Sequence, residues 1–260
     1  MTLNIVQRLT PYNYSDGNRG MGAIRYIVIH YFGSLGSAAG VANYFASAYR
    51  GASAHYILDE GPTVYQCVRD KDIAWHCGTS GAYRHPYCRN SNSIGIEVRP
   101  LKLNPAHISV EDRDWYFPTA IMDNLVQLTK MLMQRYNIPA ENVIRHYDVT
   151  GKWCPRPLLG DDTNQFYKTS GNKQWAIFKA RLTEEELDMN KDELLSTANT
   201  GDNPSPWAKK ATDYCKAKGI FNGDGKGNYG WQVPITREAV AQIIYNAFEA
   251  AGVLDKIPDA

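Results

Sequence analysis

Two histidines and a cysteine carry the strongest chemical signal in the sequence. His30 ends the β-branched and aromatic run Ala23-Ile24-Arg25-Tyr26-Ile27-Val28-Ile29-His30, and His146 and Cys154 stand eight positions apart around Tyr147-Asp148-Val149-Thr150-Gly151-Lys152-Trp153. Two imidazoles and one thiolate make three metal ligands with a fourth position left for water, which distinguishes a catalytic zinc site from a closed structural one. Nitrogen and sulfur donors favour zinc over magnesium or calcium, which prefer oxygen. Spacing alone leaves the alternative open: His30 equally suits a hydrogen-bonded core histidine, and Cys154 a small buried apolar residue.

Such residues need a scaffold, and the chain offers one. The run ending at His30 reads as a buried strand. A helix with Val41, Tyr44, Phe45 and Ala48 on one face should follow. A hairpin then pairs Ala54-His55-Tyr56-Ile57-Leu58 with Thr63-Val64-Tyr65-Gln66-Cys67-Val68 around Asp59-Glu60-Gly61-Pro62. Ser93-Ile94-Gly95-Ile96-Glu97-Val98 is a further strand. Pro118 opens an amphipathic helix to about Tyr136, with Ile121, Leu125, Leu128, Leu132 and Met133 at helical spacing, and Asn137-Ile138-Pro139 stops it. A short strand over 142–145 delivers His146, and a helix near 175–182 closes the unit. This alternation predicts an α/β fold over 1–182, a central mixed β-sheet flanked by helices.

Residues 183–206 are acidic, then rich in Ser, Thr, Asn, Gly and Pro, and read as a linker. Beyond it, 207–218 and 237–251 read as two amphipathic helices joined by a glycine-rich turn. They form a small helical C-terminal module over 207–260, whose core is marginal alone.

With 260 residues, 43% of them apolar, the chain can bury a full core. A net charge of +1 supplies no basic excess to collect phosphates, so nucleic acid is not an expected partner. No segment approaches a membrane-spanning apolar run, so membrane insertion is not expected. The first nine residues, Met1-Thr2-Leu3-Asn4-Ile5-Val6-Gln7-Arg8-Leu9, lack the pattern of a secretory signal peptide. Five cysteines, Cys67, Cys77, Cys88, Cys154 and Cys215, are too few and scattered for a disulfide framework, which fits synthesis in a reducing cytoplasm.

Five ordered motifs sharpen the reading: Ile27-Val28-Ile29-His30, Ser53-Ala54-His55-Tyr56, Ala74-Trp75-His76-Cys77-Gly78, Asn92-Ser93-Ile94-Gly95-Ile96-Glu97, and the run from Arg145 through His146 and Lys152 to Cys154-Pro155. Over residues 1–182 they resemble the type 2 N-acetylmuramoyl-L-alanine amidases, a family that includes phage lysins and peptidoglycan recognition proteins. The resemblance implies a mixed sheet with zinc in a groove on one face, held by His30, His146 and Cys154. It implies Glu97 as the catalytic glutamate and Lys152 as the basic residue two positions before the cysteine ligand. The implied reaction hydrolyses the amide between the muramic lactyl group and the first alanine of peptidoglycan. Glu97 would take the proton of a zinc-activated water and Lys152 would steady the oxyanion. Asp148 is expected to orient the site. His55, Trp75, His76 and Asn92 stand in motifs of the substrate groove, with packing the competing role of His55, Trp75 and His76. Cys77 departs from the small residue usual beside His76.

The C-terminal module resembles one S-layer homology repeat through Trp207-Ala208, Lys218-Gly219-Ile220-Phe221-Asn222-Gly223 and Pro234-Ile235-Thr236-Arg237-Glu238. That implies binding of a secondary cell-wall glycan of Gram-positive bacteria, with Trp207, Thr236, Arg237 and Glu238 as contacts. Thr236 equally suits a helix cap. The layout is that of a phage or prophage endolysin of a Gram-positive host, made in the cytoplasm and acting at the wall after release. A bacterial autolysin and a non-catalytic peptidoglycan-binding protein are the alternatives, and non-catalytic relatives lack the cysteine ligand that Cys154 supplies here. A single repeat where the family stacks three predicts a homo-oligomer or an assembly with a fragment starting at Met189, whose codon follows the purine-rich stretch expected for Glu184-Glu185-Glu186.

Overall fold

The computed structural model describes residues 3–79, 81–183, 204, 208–222, 229 and 237–252, the last group with side chains from 240 onward. The chain forms two compact units, Met1–Glu185 and Glu186–Ala260. Most of 183–206 lies outside the described residues, as do Met189, Trp207, Thr236 and the side chains of Arg237 and Glu238.

The first unit is built on a six-stranded sheet. Its strands are β1 (Asn4–Gln7), β2 (Tyr26–Tyr31), β3 (Tyr56–Leu58), β4 (Thr63–Gln66), β5 (Ser93–Val98) and β6 (Val143–Arg145). They lie in the order β1-β4-β3-β5-β2-β6. Only the β3–β4 hairpin is antiparallel; every other pair is parallel, so the sheet is mixed as expected. All six residues of β2 are buried, which explains its continuous β-branched and aromatic composition: a central parallel strand is covered on both faces. The edge strand β1 is short and largely exposed, with only Ile5 packed against the core, so its pattern did not announce it.

Among the described residues, four α-helices complete the unit: α1 (Ala38–Ser47), α2 (Thr119–Tyr136), α3 (His146–Thr150) and α4 (Gly171–Thr183). The Ser37 hydroxyl caps α1 by accepting from Gly40 N at 3.1 Å. The buried face of α1 is Ala38, Ala42 and Phe45, packed with Ile57 and Cys67 of the hairpin. The face expected from sequence is therefore rotated: Tyr44 is half-exposed and Ala48 is the C-cap. Alanines at the contact let the helix approach the sheet closely, leaving the bulky Tyr44 outside.

The long helix α2 buries Ile121, Leu125, Leu128 and Leu132 in the main core with Trp115, Phe117 and Phe178. Its Asn124 amide donates to the carbonyls of Asp59 and Gly61 at 2.9 and 2.8 Å, locking the helix to the hairpin turn. Asn137 ends it in the left-handed conformation, φ 51°, donating its N–H to Met133 O.

In the second unit, helices occupy Lys209–Ala217 and Arg237–Ala251, and Asn246 Nδ2 donates to Ile220 O at 3.1 Å. No described helix is long and apolar enough to cross a membrane.

Candidate metal centre

Strand register builds the first half of the site. The β2–β5 pairing sets His30 opposite Glu97, so the two side chains emerge side by side on one face of the sheet. The β2–β6 pairing sets Arg145 opposite Ile29, so the next residue, His146, leaves the sheet level with His30. All three stand at or just beyond the C-terminal ends of parallel strands, where α/β sheets place their ligand crevices.

The second half is a folded-back turn. Asp148 accepts from the Arg145 N–H at 2.9 Å and from its guanidinium at 3.0 and 2.9 Å, closing the first turn of α3 around His146. The same guanidinium donates to Leu158 O and to Asn172 Oδ1. Asp148 thus holds the segment that carries a candidate ligand. Gly151 caps α3 at φ 84°, a left-handed conformation that favours glycine. The chain then returns: Tyr147 N donates to Cys154 O at 2.8 Å and brings the thiol back beneath His30.

His30 Nδ1 lies 3.2 Å from His146 Nδ1 and 3.7 Å from Cys154 Sγ. All three residues are buried. Tetrahedral coordination at ordinary zinc distances separates two nitrogens by about 3.3 Å and a nitrogen from a sulfur by about 3.6 Å, so the three atoms fit that ion. Their protonation fits too. Burial, then the neighbouring imidazoles and Lys152, push His30 well below its ordinary value; burial and Lys152 lower His146 to about 4, with the Gly78 carbonyl working against them. Both rings are therefore neutral donors. Burial, then Glu97, raise the Cys154 thiol, so a cation would displace its proton.

A second group of metal-ligating atoms shares His30: His76 and Cys77. Its separations are shorter, 3.0 Å from His30 Nε2 to His76 Nδ1 and 3.2 Å from Cys77 Sγ to His76 Nδ1. A sulfur only 3.2 Å from a nitrogen is closer than tetrahedral zinc ligands sit, and Cys77 lies off the cleft that the first group faces.

That cleft has a volume of about 710 Å³. His30, His146 and Cys154 form its floor, with Glu97, Lys152 and Trp153 around them and Tyr44, Trp75 and Val110 among its walls. Glu97 Oε2 is buried without a hydrogen-bond partner, and burial raises its carboxyl to about 7 despite Lys152. Of the four residues expected in the groove, Trp75 and His76 line it. His55 does not: it is fully buried beneath the sheet face, accepting from Gly95 N at 3.0 Å, and burial lowers it to about 3. Asn92 instead closes the turn before β5, accepting from Arg89 N at 2.8 Å and donating to Tyr87 O at 3.0 Å.

Two features escaped the sequence. The irregular chain over 103–114 brings Val110 and Glu111 to the cleft wall, held by Tyr31 Oη donating to Val110 O at 3.2 Å and by Arg156 donating to the carbonyls of Glu111 and Asp112. Ser93 stands behind His76, its Oγ 3.1 Å from His76 Nε2. The wall lacks any periodic signal. The glycine at 95 inside an apolar strand was the available hint of a close approach on that side.

The model of the family described as N-acetylmuramoyl-L-alanine amidase matches residues 20–157, more than half of the chain and all of the cleft's floor. The chain belongs to that amidase family. The amidase CwlL of Bacillus licheniformis is 25% identical over 171 residues, covering 62% of this chain and 44% of the relative. The amidase AmiD of Escherichia coli (strain K12) is 31% identical over 126 residues, 41% of each chain. This chain thus spans less than half the length of these two amidases. Among solved structures, a mutant form of PlyL superposes with a TM-score of 0.50 at 22% identity, over 70% of this chain and 100% of the other; at that identity the likeness speaks for the fold alone.

Proposed function

We propose that this chain is a zinc-dependent N-acetylmuramoyl-L-alanine amidase, cutting the amide between the muramic lactyl group and L-alanine of peptidoglycan. The observation that carries the reading is the convergence of His30 Nδ1, His146 Nδ1 and Cys154 Sγ on the floor of a cleft that Glu97 and Lys152 also line. Family membership supports the bond cleaved. A zinc ion held by those three residues supplies Lewis acidity toward a water and a carbonyl. Glu97, desolvated and with one oxygen unpartnered, is suited to take a proton from water and return it to the leaving nitrogen. Lys152 brings a positive charge to the side where the carbonyl oxygen gains charge. Trp75, Tyr44 and Trp153 offer aromatic faces to sugar and peptide at the rim.

The wider proposal is an endolysin of a Gram-positive host, from a phage or prophage, with residues 207–260 as an S-layer homology-like module binding wall glycan. One repeat on a small core favours assembly, with copies of the whole chain or with a fragment begun at Met189, since several repeats raise avidity through effective concentration.

The metal reading is tested by zinc titration of metal-free protein with elemental analysis. One zinc per chain is expected, lost in Cys154→Ser and retained in Cys77→Ser. Absence of zinc, or loss in the Cys77 variant alone, contradicts the site.

A further inference from the structure

Behind His30 runs a chain of hydrogen bonds whose direction can be read from its far end. The Arg89 carbonyl can only accept, so the Ser93 hydroxyl, 2.7 Å away, donates to it. Ser93 Oγ is then the acceptor facing His76 Nε2 at 3.1 Å, and Nε2 carries the proton of the His76 ring. In a neutral ring the other nitrogen, Nδ1, holds the lone pair. That lone pair faces His30 Nε2 at 3.0 Å, so His30 donates from Nε2 and keeps its own lone pair on Nδ1. Nδ1 is the atom that lies 3.2 Å from His146 Nδ1 and 3.7 Å from Cys154 Sγ.

Both rings are buried, and their hydrogen-bond partners are a hydroxyl, thiols and other imidazoles with no carboxylate among them, so neither is placed to hold an imidazolium charge. Cys77 Sγ lies 3.2 Å from the same His76 Nδ1, but that nitrogen has a single lone pair for one donor, and the ring contact with His30 at 3.0 Å is the shorter of the two. The His76 ring is seated by a glycine: a Cβ at residue 95 would come within 2.6 Å of it, so a larger residue on β5 would push the ring away from His30. The far end is equally fixed, because Asn92 closes the turn that presents the Arg89 carbonyl.

We propose that His76 is a positioning residue: with Ser93 and the Arg89 carbonyl it locks His30 in the tautomer protonated at Nε2, so that the Nδ1 lone pair faces His146 and Cys154 before any cation arrives. The inference rests on the zinc reading for its purpose, though the tautomer itself is a property of the metal-free chain. Orienting partners of this kind are typically worth about 10- to 100-fold in metal affinity.

The test is two-bond proton–nitrogen correlation spectroscopy on the full chain, metal-free, with ¹⁵N-labelled histidine, joined to zinc affinity from competition with a chromophoric chelator. Expected in the wild-type spectrum are His30 and His76 both protonated at Nε2. His76→Ala should give His30 exchanging between tautomers and zinc binding weakened by roughly 10- to 100-fold. His76→Gln, whose amide oxygen still accepts, should recover part of both effects. Ser93→Ala should blur the His76 tautomer first. A wild-type His30 protonated at Nδ1 overturns the proposal even if every variant fails to fold. So does a folded His76→Ala that keeps both the single tautomer and wild-type affinity. The expected tautomers in a chain that binds no zinc would contradict the metal reading and leave the hydrogen-bond relay standing.

Discussion

Glu97 and Lys152 show how a bland residue acquires chemistry from its surroundings. A glutamate at a strand end is ordinarily solvated; here the parallel register sets it beside His30, and burial raises its carboxyl to about 7 with one oxygen unpartnered. A carboxylate poised in this way is a stronger base than one in water. Replacing Glu97 or Lys152 by Ala is predicted to leave zinc content and wall binding intact while lowering turnover by about a hundredfold or more. Steady-state rates on purified wall check this, and near-normal turnover in both variants would remove them from the mechanism. At this scale His30, His146 and Cys154 could be singled out through the motifs they stand in, since their residue types and spacing alone left packing roles open. The place of His76 was not: a ring lining a groove and a ring holding another ring have the same sequence signature, and only the 3.0 Å contact with His30 distinguishes them. His55 carried the same ambiguity and fell on the buried side.

Among the elements, β5 and α2 could be read almost to the residue. β5 is buried along nearly its whole length, and α2 presents apolar residues at helical spacing with Pro118 before it and Asn137 after it. The cleft wall over 103–114 could not, because it is held by point contacts. Its main anchor is the buried Lys102 ammonium, 2.8 Å from Asp112 Oδ2 and 2.5 Å from Asp114 Oδ1. That hydrogen bond, with help from the Ser109 N–H and His107, holds the Asp112 carboxyl at about 2. A carboxyl depressed in the folded state stabilises it above the ordinary aspartate range, and the contribution is lost as pH falls toward the folded value. Asp112→Asn is therefore predicted to melt below the wild type at pH 6, with the gap closing between about pH 4 and pH 2. Thermal melts across that range test it; a gap independent of pH would mean that charge does not anchor the wall.

For the whole molecule, the two-unit division and the helices Lys209–Ala217 and Arg237–Ala251 are what the structure describes of the C-terminal part. A linker over 183–206 is proposed from composition, which offers few large apolar residues there. The proposed assembly predicts that expression of the native gene yields a species heavier than one chain of 29.2 kDa, containing a short product that disappears on silent recoding of Glu184 to Glu186. A single species of monomer mass would remove it. The central claim, however, is which bond is cut and by what means. It is tested most directly by identifying the chemical ends that appear when purified peptidoglycan is digested by zinc-loaded and by chelator-treated protein. The account predicts new free amino groups of L-alanine, no new reducing sugar ends, and neither product without zinc. New reducing ends, amino groups from any other peptide position, or unchanged cleavage after zinc removal would contradict it.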